Sequence, residues 1–387
     1  MKGNDREHFE DYREQTQVKH EILAAYLPAY FHILKQWDKN LVFIDGFAGR
    51  GTYTKAKTGE TIDGSPLRAL KLIADTDDFA KKVTTFFIES DPALYVQLKE
   101  AVGKFYKAHP EIREPVCMDG TFSDRVQEIL DAVKGKLAPT FLFVDPCGVS
   151  GTKFSTIRDV LDCEKCEAFV FFNMDGARRI AGLDRLSNVL IDLMGSKERA
   201  QALYDALREA DNVAERERLI LSHYLNALKN IGAKYTIPFR VEHEDKQKTS
   251  HYLIHATKHW LGFKIMKAVM WRRGHAEDQA GGLQFSQASR TNFVLLFDDR
   301  GDAMKRDIAK ALAKGPQKVE LFCHEWVIQP DNMLCEPAYK QTLLEMETEG
   351  TIEVLSKDGK NVVGAIARPK RNGKPTLAND YYVRLSG

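Results

Sequence analysis

Three acids close apolar runs just before a turn: Asp45 before Gly46, Glu89 before Ser90 and Asp119 before Gly120. Asp45 opens the stretch Gly46-Phe47-Ala48-Gly49-Arg50-Gly51. A strand that stops in such a turn presents bare backbone amides, and glycines let a ligand approach them closely. An acid at the end of a second strand accepts hydrogen bonds from two ribose hydroxyls in nucleotide-cofactor folds. Glu89 fits that role, and Asp91, two residues on, could substitute. Asp119 would accept from an adenine amine, with Gly120 leaving room for the ring. The candidate cofactor residues are therefore Asp45, Gly46, Phe47, Ala48, Gly49, Gly51, Glu89, Asp91, Asp119 and Gly120. Any one of these acids could instead be a helix N-cap. Three at consecutive strand ends are harder to read that way.

The candidate catalytic residues are Asp145, Pro146 and Cys147, at a fourth strand end. There an acid and a proline carbonyl accept hydrogens from a target amine and raise the nitrogen's nucleophilicity. A Pro-Cys pair offers a second chemistry, a thiolate that adds covalently to a pyrimidine ring. Cys147 would need exposure and a nearby positive group to ionise. Otherwise it is a small inert turn residue. Arg178 and Arg179, after Asn173 and Asp175 in FFNMDGARR, could meet substrate phosphates or simply begin a charged helix. Lys19 and His20, at the start of the first helix, are candidates for cofactor or substrate contact.

The elements that must position these residues follow from periodicity. Residues 16 to 37 carry Val18, Ile22, Leu23, Tyr26, Leu27, Tyr30 and Phe31 at spacings of three and four, an amphipathic helix. Leu41 to Ile44 is a strand buried on both faces. Lys55 to Ile62 is a polar loop, and Ser65 then caps a helix that has Pro66 at its first position. Further strands cover Val83 to Ser90, Pro115 to Met118, Pro139 to Val144 and Ala168 to Asn173, with helices between them. Residues 174 to 232 form a helical, charged insertion. Strands Tyr235 to Glu242 and Ser250 to Thr257 flank a charged turn, and the helix Leu261 to Trp271 closes the unit. The alternation predicts a parallel doubly wound sheet, with ligands at the carboxyl ends of its strands.

A first domain thus runs over 1–275, a linker or lid over 276–300, and a second domain over 301–387. In the tail, helices 302–314, 318–328 and 336–349 precede a hairpin, Thr351 to Ser356 returning as Val362 to Ala367. Helices followed by a hairpin suggest a winged helix. From 351 to 387, seven basic residues face three acids, and Lys370, Arg371 and Lys374 are candidate phosphate contacts. Solvated charge on an exposed hairpin is the plainer reading.

With 387 residues the chain can build two domains and a sizeable core. Its 56 Lys plus Arg nearly balance 55 Asp plus Glu, so any basic surface must be local. No apolar stretch approaches a membrane span, and the charged N-terminus is no signal peptide. Six thinly spread cysteines fit free thiols in the cytoplasm. The single pair Cys163 and Cys166 lacks a second pair at zinc spacing, so no metal is expected.

The form D-G-F-A-G-x-G resembles motif I of class I S-adenosylmethionine (SAM) methyltransferases rather than the G-x-G-x-x-G of dinucleotide folds, which disfavours NAD. Asp145 and Pro146 stand where amino-methyltransferases carry D/N-P-P-Y/F/W, but Cys147 and Gly148 replace the second proline and the aromatic. Lys19-His20-Glu21-Ile22-Leu23, Ile44 to Gly49, Gly64-Ser65-Pro66, Phe87-Ile88-Glu89, Val144-Asp145-Pro146 and Tyr252-Leu253-Ile254 together resemble the three-Cys-motif partner (TcmP) proteins, over most of the chain to about residue 271. The resemblance implies a Rossmann-like class I methyltransferase sheet, parallel with an antiparallel last strand, and a winged-helix tail. It also implies a partner protein carrying a three-cysteine motif and resembling radical-SAM enzymes. The function expected is SAM-dependent methylation of nucleic acid, DNA or RNA. The alternative is a non-catalytic SAM- or nucleotide-binding module that presents nucleic acid to a partner enzyme.

Overall fold

Leu41–Asp45 (β1) is buried along its whole length, as its unbroken apolar run requires of a central strand covered on both faces. It pairs in parallel with Val83–Glu89 (β2) on one side and Thr140–Val144 (β4) on the other. Val116–Asp119 (β3) extends the sheet beyond β2, and Glu167–Asn173 (β5) extends it beyond β4. Tyr235–His243 (β6) and Lys246–Thr257 (β7) complete it, with β7 antiparallel to both β5 and β6. The computed structural model describes residues 14–36, 40–54, 59–149, 151–183, 186–243, 246–273, 276–277, 283–285, 302–330, 332, 334–371 and 374–386. The chain forms two compact units, Met1–Ile265 and Met266–Gly387.

The seven strands of the first unit lie in the order β3-β2-β1-β4-β5-β7-β6. Successive strands leave β1 in opposite directions, so a topological switch point opens where β1 and β4 end. This order, with its antiparallel β7, matches the Rossmann-like methyltransferase sheet expected from the strand pattern. Phe43, Phe141, Phe143 and Phe169 fill its centre without measurable exposure, and Phe43 stacks on Phe141 at 6.4 Å.

Helices flank the sheet: Glu14–Leu34 (α1), Ser65–Ala74 (α2), Pro92–Ala108 (α3), Phe122–Ala132 (α4) and Phe154–Asp162 (α5). α1 buries Ile22, Leu23, Tyr26, Leu27, Tyr30 and Phe31, the stripe its spacing prescribed. The insertion is four helices, Met174–Ala181 (α6), Asn188–Met194 (α7), Lys197–Glu209 (α8) and Val213–Asn230 (α9). Trp260–Arg273 (α10) follows β7.

Local expectations differ at three places, and a fourth goes untested. Gly64, not Ser65, is the N-cap of α2, and Ser65 is its buried first residue. The expected loop after the glycine turn contains a short hairpin, Thr52–Thr54 with Thr61–Asp63. The charged turn after β6 is shorter than expected because a register shift after Val241 keeps charged residues in the β6–β7 ladder. The expected lid over 276–300 lies mostly outside the described residues.

In the second unit, helix 302–312, a π-helical turn Leu321–Trp326 and helix Glu336–Thr348 pack on a three-stranded antiparallel sheet. Gln317–Lys318 and Ile352–Leu355 flank a central Tyr382–Leu385. Ile308, Phe322, Cys323, Leu343, Leu355 and Val383 are fully buried there. The strand returning against Ile352–Leu355 is therefore Tyr382–Leu385, not Val362 to Ala367. Val362 makes a single bridge to Leu355, and Ala365–Ala367 is a 3-10 turn. Burial explains the choice. Val383 is fully buried, whereas Ile366 is 92% exposed.

Candidate functional site

The end of β1 is held open for a ligand by glycines whose geometry admits little else. A Cβ on Gly46 would lie 2.5 Å from the Phe122 ring. Gly49 and Gly51 have φ of +60° and +80°, where side chains are disfavoured. The Gly46 amide donates to the Phe143 carbonyl at 2.9 Å and that of Ala48 to the Ile88 carbonyl at 2.9 Å. The turn is thereby tied to both neighbouring strands. Phe47 packs on Phe122 with ring centroids 5.3 Å apart.

Asp45 is completely buried. Its Oδ1 accepts from the Phe47 amide at 3.2 Å, and its Oδ2 has no hydrogen-bond partner among the described residues. Burial pushes the carboxyl up to about 7, against the lowering effect of the Ser65 hydroxyl and the Phe47 amide. A buried carboxylate with one unpartnered oxygen suits a ligand group that donates to it, a cationic one above all.

Glu89 and Asp119 are register partners at the ends of β2 and β3. The Glu89 carboxylate accepts from the Gly49 amide at 2.9 Å and from the Asp91 amide at 2.7 Å, which fixes it against the glycine turn. Asp91 is the N-cap of α3, its Oδ1 accepting from Ala93 and Leu94. That assigns it a helix-terminal role whatever else it meets. Asp119 is exposed, and Gly120 after it has φ of +140°, with Arg125 lying where a side chain would go.

Asp145 ends β4 beside β1. Its Oδ2 takes an ion pair from Lys19 of α1, and the two side chains are 10% and 8% exposed. The Lys19 ammonium also sits 4.8 Å from the centre of the Phe171 ring. Asp145 Oδ1 has no hydrogen-bond partner among the described residues. Pro146 is buried and Cys147 exposed. Lys19 was marked by position alone. Its pairing with a carboxylate 126 residues away has no signature in sequence. His20, buried beside Tyr53, is held well below its ordinary value by burial and by the Lys19 and Arg68 charges.

The two arginines of α6 part company. Arg178 donates to Asp175, to the Thr249 carbonyl at 2.9 Å and to Glu217, whose Oε1 also accepts from Tyr252 at 2.8 Å. It braces α6 against α9 and β7. Arg179 is exposed and shares a concavity with Asp175, Arg178 and Lys248. In the second unit Lys370 is exposed, and the side chains of Arg371 and Lys374 lie outside the described residues. Cys163 and Cys166 are free thiols, and no group of three metal-ligating side chains occurs among the described residues.

The sheet order is that of a Rossmann-like methyltransferase fold, and the acids lie at its switch point. No family model and no curated protein sequence matches the chain. Among solved structures it is similar to a Legionella pneumophila protein of family DUF519, at 13% identity and a TM-score of 0.37, covering 62% of this chain and 84% of that one. It is also similar to the DszA carbon methyltransferase, at 12% identity and 0.33, over 62% of this chain and 53% of that one. The O-methyltransferase from Bacillus cereus in complex with SAH is a third, at 8% identity and 0.28, over 62% and 91%. Likeness at these TM-scores transfers no chemistry.

Proposed function

We propose that this chain is a SAM-dependent methyltransferase acting on nucleic acid. The observation that supports it most is the convergence of Asp45, Glu89 and Asp145 on the glycine turn at the β1/β4 switch point, with Asp45 Oδ2 buried and unpartnered. Glu89 would take the ribose hydroxyls, Asp119 the adenine amine, and Asp45 the amino group of the methionine end, against the glycine turn. SAM bound there supplies a methyl group on a positively charged sulfur. Asp145, oriented by Lys19 through Oδ2, keeps Oδ1 to accept a hydrogen from the acceptor atom, and the Pro146 carbonyl is the second acceptor. Catalysis then rests mainly on alignment. Among the described side chains, Arg179, Lys360 and Lys370 are the exposed basic groups that would meet phosphates, the last two on a winged-helix-like second unit, and the sequence adds Arg371 and Lys374 as candidates. The resemblance to the three-Cys-motif partner proteins extends the proposal to a partner with that motif in the cytoplasm.

Calorimetry of the full chain tests the cofactor. SAM should bind, and Glu89→Ala should weaken it at least about tenfold by removing the ribose acceptor. Failure of the folded protein to bind SAM would remove the enzyme reading. Transfer of a labelled methyl group to RNA or DNA should be lost in Asp145→Ala with SAM binding retained. The exposed Cys147 and the absent aromatic at Gly148 favour a second reading, a module that binds SAM and nucleic acid without transfer. Binding of both ligands by the wild type with no labelled product would select it.

A further inference from the structure

A pocket of about 330 Å³ lies at the amino end of β5, the opposite end from the site above. Ladder register assembles it. Ala168 of β5 faces Ala256 of β7, so the residues before Ala168 meet those after Ala256. One step out stand Glu167 and Thr257, then Cys166 and Lys258, then Lys165 and His259, and all six line the cavity. We propose that this pocket is a second ligand site and takes a small amphiphilic carboxylate, its hydrocarbon chain inside and its head at the mouth beside Lys258, Lys165 and His259.

The inner layer is polar but already satisfied. Glu167 is only 6% exposed. Its Oε2 accepts from the Tyr26 hydroxyl at 2.5 Å and meets His255 Nε2 at 2.9 Å, while Oε1 accepts from the Thr257 hydroxyl at 2.7 Å. Gly262 packs on the same oxygen, and a Cβ there would lie 2.4 Å from Oε1. With three donors placed and backbone against it, the carboxylate offers nothing to the polar group of a ligand, and its charge keeps an anionic head away from the floor. The surface left for a ligand inside is apolar: Ile33 and Leu34 of α1, Leu261 and Ile265 of α10, and the ring of Tyr30. Such walls take a hydrocarbon chain.

The mouth carries the opposite sign. Lys165 and His259 are exposed and Lys258 is half-buried, so the basic part of the lining is its outer rim. Lys258 gives one ammonium hydrogen to the Cys163 carbonyl at 3.0 Å, which fixes the group over the turn before β5, and an ammonium has three to give. His259 Nδ1 accepts from the Leu261 amide at 3.1 Å, so the ring hydrogen lies on Nε2 and makes it a donor. The turn itself is held: Lys165 has φ of +57°, and its carbonyl accepts from the Tyr30 hydroxyl at 2.9 Å. Two ammonium groups and an imidazole N–H above an apolar pocket match a carboxylate on a short chain, whereas an ammonium head would meet like charge.

Titration of the full chain with octanoate, 1-octanol and n-octylammonium, read by calorimetry, tests the assignment. Octanoate should bind about three- to tenfold tighter than the other two, the range for charge-assisted contacts at a partly solvated rim. Added salt should weaken octanoate and leave octanol unchanged. Lys165→Met with Lys258→Met should abolish the preference and keep octanol binding, and Leu261→Trp, which fills the pocket from its wall, should weaken both probes at least about tenfold. Octanoate binding no tighter than octanol, no binding of any probe, or a preference that survives in the double variant would overturn the proposal. Octanoate binding untouched by Leu261→Trp overturns it as well, because the probe then sits elsewhere.

Discussion

Asp45 is held in a state unlike that of its unfolded counterpart. Its carboxyl titrates near 7 in the fold against an ordinary 3.8, because burial disfavours the charge. The folded protein therefore keeps a proton that the unfolded chain gives up, and the stability this brings is full below about pH 4 and lost as pH rises through about 7. Asp45→Asn cannot ionise and escapes the loss. Its unfolding free energy relative to wild type, from urea titration, should rise by about 2–4 kcal/mol between pH 4 and pH 8. A flat difference would mean that Asp45 is solvated. A cationic ligand beside Asp45 needs the ionised form, so SAM affinity should fall by up to about tenfold per pH unit below 7. Lys19 makes a separable contribution. Lys19→Met leaves the Asp145 carboxylate without its cation, and labelled-methyl transfer should drop by about ten- to a thousandfold, while calorimetry shows SAM affinity changed less than about threefold. Equal losses in both would place Lys19 on the cofactor instead.

At the scale of elements, the glycine turn is locked from a distance. The Gly64 amide donates to the Gly51 carbonyl at 2.8 Å, and a Cβ on Gly64 would lie 2.9 Å from that oxygen. Backbone cannot swing aside as a side chain does, so Gly64→Ala should cost about 1–3 kcal/mol in urea unfolding and weaken SAM binding with it. Unchanged stability would show the Gly51–Gly64 contact to be loose. The strands and the acids that follow them were legible because each central strand is an unbroken apolar run ending in a polar turn. The Gly64 cap was not, since serine is ordinarily the better cap and the crowding at Gly51 exists only after folding. Likewise FFNMDGARR carries no sign that Arg178 turns inward to Glu217 while Arg179 faces solvent. Glu167 opens an apolar strand, and only the approach of Tyr26 from α1 and of His255 and Thr257 from β7 accounts for its burial.

For the molecule as a whole, the question is which basic side chains remain for a polynucleotide once internal pairing is satisfied. The sequence offers seven between 351 and 387. Arg368 is buried against Glu347, Lys357 pairs with Asp380 at 2.7 Å, and Arg384 pairs with Glu353 at 2.7 Å. Helix Glu336–Thr348 presents Glu336, Glu345 and Glu347 against Lys340, a sign unsuited to lying along phosphates. Lys360 and Lys370 are exposed and enter no ion pair among the described residues. If the second unit grips nucleic acid, these two carry the contact on the irregular segment before Tyr382–Leu385, and the helix does not. In the full chain, Lys360→Ala with Lys370→Ala should reduce the slope of log affinity against log salt by about 1.5, two phosphates at roughly 0.7 to 0.9 each. Arg384→Ala, removing a charge already paired with Glu353, should leave the slope nearly unchanged. A slope that falls in Arg384→Ala but not in the double variant would move the contact onto the sheet. A slope unmoved by either would turn the search to Arg371 and Lys374 and to Arg179, exposed beside the end of β5 in the first unit.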